Sequence, residues 1–258
     1  EETRLHHHET VAGYAHNFAI HIKKQEDEEE ARKKRARSAY IEGMMRAAAT
    51  PNPHVPRANI YLRPAELGDA PGLASLMNWY MEASPLSTDD TIVGQGEVHR
   101  RIQSCRSQLL PFIVAVERRT PRTHTHQETI STPETILGYA LANDFIGKET
   151  SGRYTVNLKV FVRHDSKGKG IGRCLMDKLL EVCDATFRSK RGYYFDKGSE
   201  DDMAYYPGGG RRLSRLIFAV SYPDNDRARY EWVMNWLKKY DFEEQGVLKG
   251  VAVKFKRQ

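Results

Sequence analysis

Val160-Phe161-Val162-Arg163-His164-Asp165-Ser166-Lys167-Gly168-Lys169-Gly170-Ile171-Gly172-Arg173 joins two different periodicities. The residues up to Val162 are largely β-branched or aromatic and alternate apolar with polar, which is a strand pattern. Beyond the turn, Ile171, Leu175, Met176, Leu179 and Val182 recur at helical spacing. The turn itself holds Gly168, Gly170 and Gly172 with Lys167 and Lys169. A strand that feeds a glycine-rich turn at a helix N-terminus makes an anion site. The first N–H groups of the helix have no intrahelical acceptor, the helix dipole adds positive potential, and glycine lets a phosphate approach the backbone. Lys167, Lys169 and Arg173 add full charges.

Two phosphate-loop patterns fit poorly. A Walker loop needs Gly-Lys-Ser/Thr after a second glycine, which is absent here. A dinucleotide fingerprint starting at Gly168 and Gly170 meets Arg173 where its third glycine belongs, and it lies far from the first strand. Composition sets the frame: 258 residues, 40% hydrophobic and 29% charged, suit one large domain or a domain with an extension, and the alternation of strands and helices along the chain gives an α/β fold. A net charge of +6 and a pI near 9.1 suit an acidic ligand as well as a nucleic acid. Cys105, Cys174 and Cys183 lack metal-ligand spacing, and an odd count without a secretory segment points to a reducing compartment, cytoplasmic or nuclear. No apolar run has transmembrane length, so no membrane contact is expected. No metal site is expected either: His6-His7-His8 and the pair His124 and His126 read as solvated.

Along the chain, residues 9–49 read as one long helix with apolar stripes at Val11, Tyr14, Phe18, Ile22 and at Tyr40, Ile41, Met44, Met45. Between them Glu28/Arg32, Glu29/Lys33 and Glu30/Lys34 are i,i+4 pairs in the favourable order. The run Lys33-Lys34-Arg35-Ala36-Arg37 reads as a solvated face, with a nuclear-import or nucleic-acid patch as its functional alternative. The stripes call for a partner surface, either the rest of the chain or a second copy in a homodimer. Three prolines in 50–56 make a linker, so 1–58 form a helical extension and 59–258 the main domain. There, strands are expected at 58–65, 111–117, 136–142, 154–162 and 213–220, and helices at 69–81, 96–109, from Ile171 to about 188, and 225–240. Two insertions, 119–134 and 190–212, are polar, and 244–248 with 251–256 read as a closing hairpin.

Lys167-Gly168-Lys169-Gly170-Ile171-Gly172 resembles the acyl-CoA loop of the GNAT N-acetyltransferase superfamily, Arg/Gln-x-x-Gly-x-Gly/Ala, with Lys in the first position. The order of elements over 59–258 is similar to the GNAT fold, a mixed, mostly antiparallel sheet flanked by helices. Within it the phosphinothricin-acetyltransferase-type branch resembles this chain most. Ile60-Tyr61-Leu62-Arg63-Pro64-Ala65 with Asp69-Ala70, Met77-Asn78-Trp79-Tyr80, Leu137-Gly138-Tyr139-Ala140, and Tyr154-Thr155-Val156 before Val160-Phe161-Val162 resemble its motifs in order. The resemblance implies acetyl-CoA as co-substrate and a primary amine of a small molecule or peptide as acceptor. It implies a pantetheine arm along the backbone of Val160, Phe161 and Val162, and a pyrophosphate on Lys167, Gly168, Lys169, Gly170, Ile171, Gly172 and Arg173, with Asn225 opening the last helix.

The resemblance breaks where side chains would move protons. The glutamate that usually follows Tyr-Thr-Val is Asn157 here, which takes no proton at neutral pH. The tyrosine that would protonate the CoA thiolate falls on Leu237, leaving Tyr230 and Tyr240 as neighbours. Asn157, through a water relay, and Tyr240 are therefore the candidate catalytic residues. Glu82, Asp144 and Tyr154 are the acceptor-side candidates. Besides a transferase, two alternatives stay open: a CoA-binding protein of the same fold with little or no transfer activity, and a basic chromatin-associated module using 32–37 and 188–191.

Overall fold

A computed structural model describes residues 10–48, 52, 54–87, 89–118, 134–147, 149–197, 203–223 and 225–250. The chain divides into two units, Glu1–Pro53 and His54–Gln258. The histidine run at 6–8, the loop containing His124 and His126, and 251–256 lie outside the described residues.

Among its described residues the first unit is a single helix, α1 (Val11–Ala48). Thr10 starts it, its hydroxyl oxygen accepting from the Gly13 amide at 3.0 Å. Tyr14 and Phe18, one turn apart, stack with ring centres 6.4 Å from each other. Of the expected ion pairs, Glu28/Arg32 and Glu29/Lys33 involve side chains outside the description, as does most of the basic run 33–37. Glu30 and Lys34 are both exposed and form no ion pair among the described residues. At an exposed site such a pair gains too little to fix two long side chains.

The second unit is a five-stranded sheet in the order β1 (Ile60–Pro64), β2 (Phe112–Glu117), β3 (Ile136–Asp144), β4 (Thr155–Val162), β5 (Arg215–Ile217). The first four strands are antiparallel neighbours and β5 joins β4 in parallel. β2 is apolar on both faces, which marks a strand covered on both sides, and every residue from Phe112 to Val116 is buried. One face carries α2 (Ala70–Ala83) and α3 (Gln95–Ser107), with Leu73, Met77, Ile102, Phe112, Val114 and Tyr139 in their shared core. The other carries α4 (Ile171–Cys183) and α5 (Arg227–Lys238), packed on Leu62, Ile113, Leu158 and Val156. α4 is the best-buried helix: Ile171, Leu175, Met176 and Leu179 are fully enclosed, each worth about 1.5–3 kcal/mol of apolar transfer. Gly138 permits this close approach, because a Cβ there would lie 2.8 Å from the Phe161 carbonyl oxygen and 3.0 Å from Leu175 Cδ1.

Four expectations change. α4 stops at Cys183 rather than near 188, because the Asp184 carboxylate accepts from the Thr186 amide at 2.8 Å and its hydroxyl at 2.7 Å. This local turn competes with another helical turn. β5 spans three residues instead of eight. Residues 244–248 form no strand. Finally, 190–212, expected as a polar insertion, reaches the core where it is described. Tyr194 and Asp196 bond the edge of β1 at Leu62, and the Tyr205 hydroxyl both donates to the Phe112 carbonyl (3.0 Å) and accepts its amide (3.1 Å). A buried tyrosine with a satisfied hydroxyl anchors the segment in the core rather than leaving it free to open and close.

Candidate active site

Among the described residues β4 and β5 are hydrogen-bonded only from Thr155/Arg215 to Asn157/Ile217, and no strand lies beside the edge of β4 from Leu158 to Val162. Arg163 donates its amide to the Leu137 carbonyl at 2.8 Å, which puts the odd-numbered residues of β4 in bonded register with β3. The even-numbered amides and carbonyls therefore point to the open edge. Leu158, Val160 and Val162 offer a row of backbone donors and acceptors there. The Tyr80 hydroxyl, arriving from α2, donates to the Val162 carbonyl at 2.6 Å. Burial raises the pKa of this phenol above its ordinary value, against the carbonyl contact that lowers it.

The edge runs straight into the glycine turn. Gly168 and Gly170 have φ of 75° and 90°, conformations that L side chains resist. They bring successive amides onto one side of the turn. The N–H groups of Gly168, Lys169, Gly170, Ile171 and Gly172 have no acceptor among the described residues. A nest of this kind at the start of a 13-residue helix is suited to an anion. Lys167 Nζ lies 5.2 Å from the Trp79 ring centre and 5.3 Å from that of Tyr80. Burial and the charge of Arg229 lower its pKa. Trp79 also stacks on His164 at 4.5 Å. On the other side the turn is held by the approach to β1: Arg57 donates its amide to the Lys169 carbonyl at 2.9 Å, and Pro56 sits where a Gly170 Cβ would point.

Beside the nest is a cavity of about 250 Å³ lined by His54, Arg173, Asp177, Lys190, Arg191, Lys239 and Tyr240 among others. Asp177 ties it together, accepting from the Ser189 hydroxyl (2.5 Å), the Lys190 amide (2.9 Å) and the Tyr193 hydroxyl (3.0 Å). The Tyr240 phenol is pushed up to about 12, first by burial and then by the charge of Asp177.

On the α2/α3 face of the sheet, β3 and β4 form three cross-strand rungs: Tyr139/Phe161, Leu141/Lys159 and Asn143/Asn157. The Oδ1 atoms of Asn143 and Asn157 are both buried without a hydrogen-bond partner among the described residues. The α2–α3 connection closes over this face. Asn78 holds it by donating to the Val93 carbonyl (3.1 Å) and accepting from the Val93 amide (2.7 Å), and Arg101 meets Asp89 at 3.3 Å.

The sequence candidates thus fall into two groups. Val160, Val162, Lys167–Arg173 and Tyr240 gather around the open edge, the nest and the cavity, and Asn157 stands where β4 and β5 part. Phe161 turns its ring onto Tyr80 and Tyr139, at 4.7 and 5.4 Å. Glu82 is exposed on the last turn of α2, and Asn225 is exposed just ahead of Asp226, which caps α5. Tyr154 is 40% exposed and faces the Arg153 guanidinium. Asp144 is engaged by Arg211 at 2.6 Å. Sequence reading missed Lys159, Asn143, the Tyr80 hydroxyl and the 54–57 contact. Strand alternation through Asn157 would have put Lys159 on the acceptor-side face; the other three depend on long-range pairing.

Solved structures with the same arrangement of strands and helices decide the fold. A GNAT-superfamily phosphinothricin acetyltransferase from Sinorhizobium meliloti, solved with acetyl-CoA, superimposes with a TM-score of 0.55 at 19% identity, covering 77% of this chain and 83% of that one. The chain has the GNAT acetyltransferase fold. A ribosomal-protein-alanine N-acetyltransferase from Brucella melitensis matches with a TM-score of 0.52 at 22% identity (76% and 92% covered). An N-acetyltransferase from Staphylococcus aureus matches with 0.51 at 16% (77% and 92%). No family model matches the sequence, and no curated protein does. Among the described residues of this GNAT fold no group of His, Cys, Asp and Glu is placed to hold a metal, and no helix is long and apolar enough to cross a membrane.

Proposed function

We propose that this chain transfers an acetyl group from acetyl-CoA directly to a primary amine. The observation that carries the reading is the continuity of the open β4 edge with the unpartnered amides of Gly168–Gly172. The nest suits a pyrophosphate. The edge at Val160 and Val162 suits the amide groups of a pantetheine arm, and an edge N–H suits the developing oxyanion of the thioester. Arg173, Lys190, Arg191 and Lys239, around the adjoining cavity, add the charge a nucleotide phosphate would meet. The acceptor nitrogen attacks the thioester carbonyl, the C–S bond breaks, and one proton passes from nitrogen to the departing sulfur. Asn157 stands where the strands part and can orient the amine or a water through its amide. Tyr240 keeps its proton at neutral pH and can supply it to the thiolate. Positioning supplies much of the rate in such a reaction, so an enzyme without a carboxylate base at 157 remains chemically competent toward amines of low basicity.

Calorimetry with acetyl-CoA tests the reading: micromolar binding by the wild type that weakens about tenfold in Lys167→Ala supports it, and absence of wild-type binding overturns it. Because Asn157 is no base, the second reading is a CoA binder without transfer activity. Acetyl-CoA binding with no CoA release across a panel of amino acids, polyamines and peptides would favour that reading.

A further inference from the structure

Lys159 occupies the middle of β4, on the face where Asn143 and Asn157 display unpartnered amide oxygens. Its cross-strand neighbour on one side is Leu141; on the other side β5 has already left the sheet. The residue therefore stands at the lip of the gap, flanked in sequence by Leu158 and Val160, whose backbone groups line the open edge. It is half-buried, and Nζ has no hydrogen bond or ion pair among the described residues. A buried ammonium without a partner is costly, so the neutral amine gains ground. Burial lowers its pKa below the ordinary lysine value; Asp89 acts in the opposite sense and Arg101 in the same one. Asp89 is itself drawn to Arg101 at 3.3 Å.

Two other lysines also have lowered pKa values, and both are occupied. Lys178 donates to Glu181 at 2.7 Å and to the Tyr205 carbonyl at 3.1 Å. Lys167 lies against Trp79 and Tyr80 at the nest. Among these three, Lys159 alone is an unpartnered amine beside the edge assigned to the thioester.

We infer that Lys159 is an internal acetyl acceptor, so that the protein acetylates itself at this position. The inference rests on the acetyl-CoA reading given above. The neutral Lys159 amine attacks the thioester carbonyl carbon, a C–N bond forms as the C–S bond breaks, and the proton lost from nitrogen leaves with CoA as its thiol. The product is an amide, stable to further transfer. Modification removes a charge from the face that holds Asn157 and fills the gap with an acetamide, so each molecule reacts once and then loses access for an external amine.

The full chain is incubated with isotopically heavy acetyl-CoA, and in parallel with a short acetyl thioester that lacks the nucleotide. Acetylation blocks tryptic cleavage after Lys159, so a heavy peptide spanning 154–163 replaces 154–159 and 160–163. The expected result is one acetyl group per chain at Lys159. The rate saturates with acetyl-CoA, exceeds that of the short thioester at least tenfold, and is accompanied by equimolar CoA. Lys159→Arg, which keeps charge and length, loses the label while binding acetyl-CoA as the wild type does. An unlabelled Lys159 in a chain that binds acetyl-CoA overturns self-acetylation and leaves the transferase reading intact. Label spread over exposed lysines at equal rates from both donors also overturns it. Absence of both binding and label removes the acetyl-CoA reading as well.

Discussion

The glycine turn makes a quantitative demand on its own backbone. Gly168 and Gly170 both sit in the left-handed region, at φ 75° and 90°. Alanine at either position takes on the strain of an L residue there, about 1–2 kcal/mol. The two sites differ in what a Cβ would meet. At 168 nothing lies within 4 Å, whereas at 170 the Cβ would come 3.1 Å from Pro56 Cα and 3.2 Å from Arg173 Nη2. The arginine end can swing away; the Pro56 backbone cannot, because Arg57 is bonded to Lys169. Crowding of this kind adds about 1–3 kcal/mol. Gly168→Ala should therefore lower Tm by about 2–8 °C, taking 2–4 °C per kcal/mol for a domain of this size, and Gly170→Ala by roughly twice as much. Gly246→Ala serves as the control: it lies outside the left-handed region with open space around it, and should be near neutral. Thermal unfolding followed by circular dichroism reads all three. Wild-type stability in Gly170→Ala, or a larger loss at 168 than at 170, would refute both the turn geometry and the 54–57 contact.

Other consequences can be measured on the same protein. Arg173→Ala should weaken acetyl-CoA binding about tenfold at low salt and by less as ionic strength rises, since the contact is a charge–charge one; an effect independent of salt would count against a phosphate at the nest. Arg211→Ala leaves Asp144 buried without its cation, because the pair at 2.6 Å has side chains only 14% and 12% exposed. The loss should be about 3 kcal/mol in denaturant unfolding, and Asp144→Asn in the same background should recover part of it. The Tyr240 phenol is raised to about 12, so the fold favours its neutral form. Its contribution to stability is complete below about pH 10, the unfolded value, and is lost as pH rises from there to about 12. Tyr240→Phe should flatten that alkaline limb, and a transfer rate that falls through ionisation of Tyr240 below pH 10 would contradict its environment.

Much of this fold is local in origin, and that part could be read from residues alone. Pro71 and the apolar face from Leu73 to Tyr80 define α2, and alternation defines β2 and β3. The strand–glycine–helix junction defines the nest. What escaped reading has causes elsewhere in the chain. β5 is short although 213–220 contains apolar residues throughout, because Phe218 leaves the sheet to pack on Trp236 and Phe242, with ring centres 6.4 and 6.2 Å away. That departure creates the open edge of β4, and no periodicity in 213–220 announces it. The segment 190–212 looks polar and glycine-rich, yet Tyr193 and Tyr205 are placed by Asp177, Lys178 and Phe112, residues distant in sequence. Asp144 has the composition of a substrate-binding carboxylate, but it is engaged by Arg211 from a segment whose path the sequence does not disclose.

The division between backbone and side-chain chemistry explains where this protein departs from the motifs it resembles. Cradling a pyrophosphate, aligning a pantetheine arm and steadying an oxyanion all use amides, and amides survive substitution as long as the glycines and the strand splay are kept. The three rungs on the α2/α3 face act through side chains instead. Tyr139/Phe161 is an apolar stack at 5.4 Å, Leu141/Lys159 pairs an aliphatic with an unpartnered amine, and Asn143/Asn157 presents two acceptor oxygens. The series grades from apolar at the nest end to polar at the end where β5 joins. On the reading proposed above, an acceptor entering this face would meet hydrogen-bond acceptors for its nitrogen first and a lysine next. On that reading a lysine at that place would repel a cationic acceptor while charged and would close the face once acetylated. On the acetyl-CoA reading proposed above, Lys159, two residues along the same face from Asn157, is then the side chain placed to decide which amine reaches the thioester.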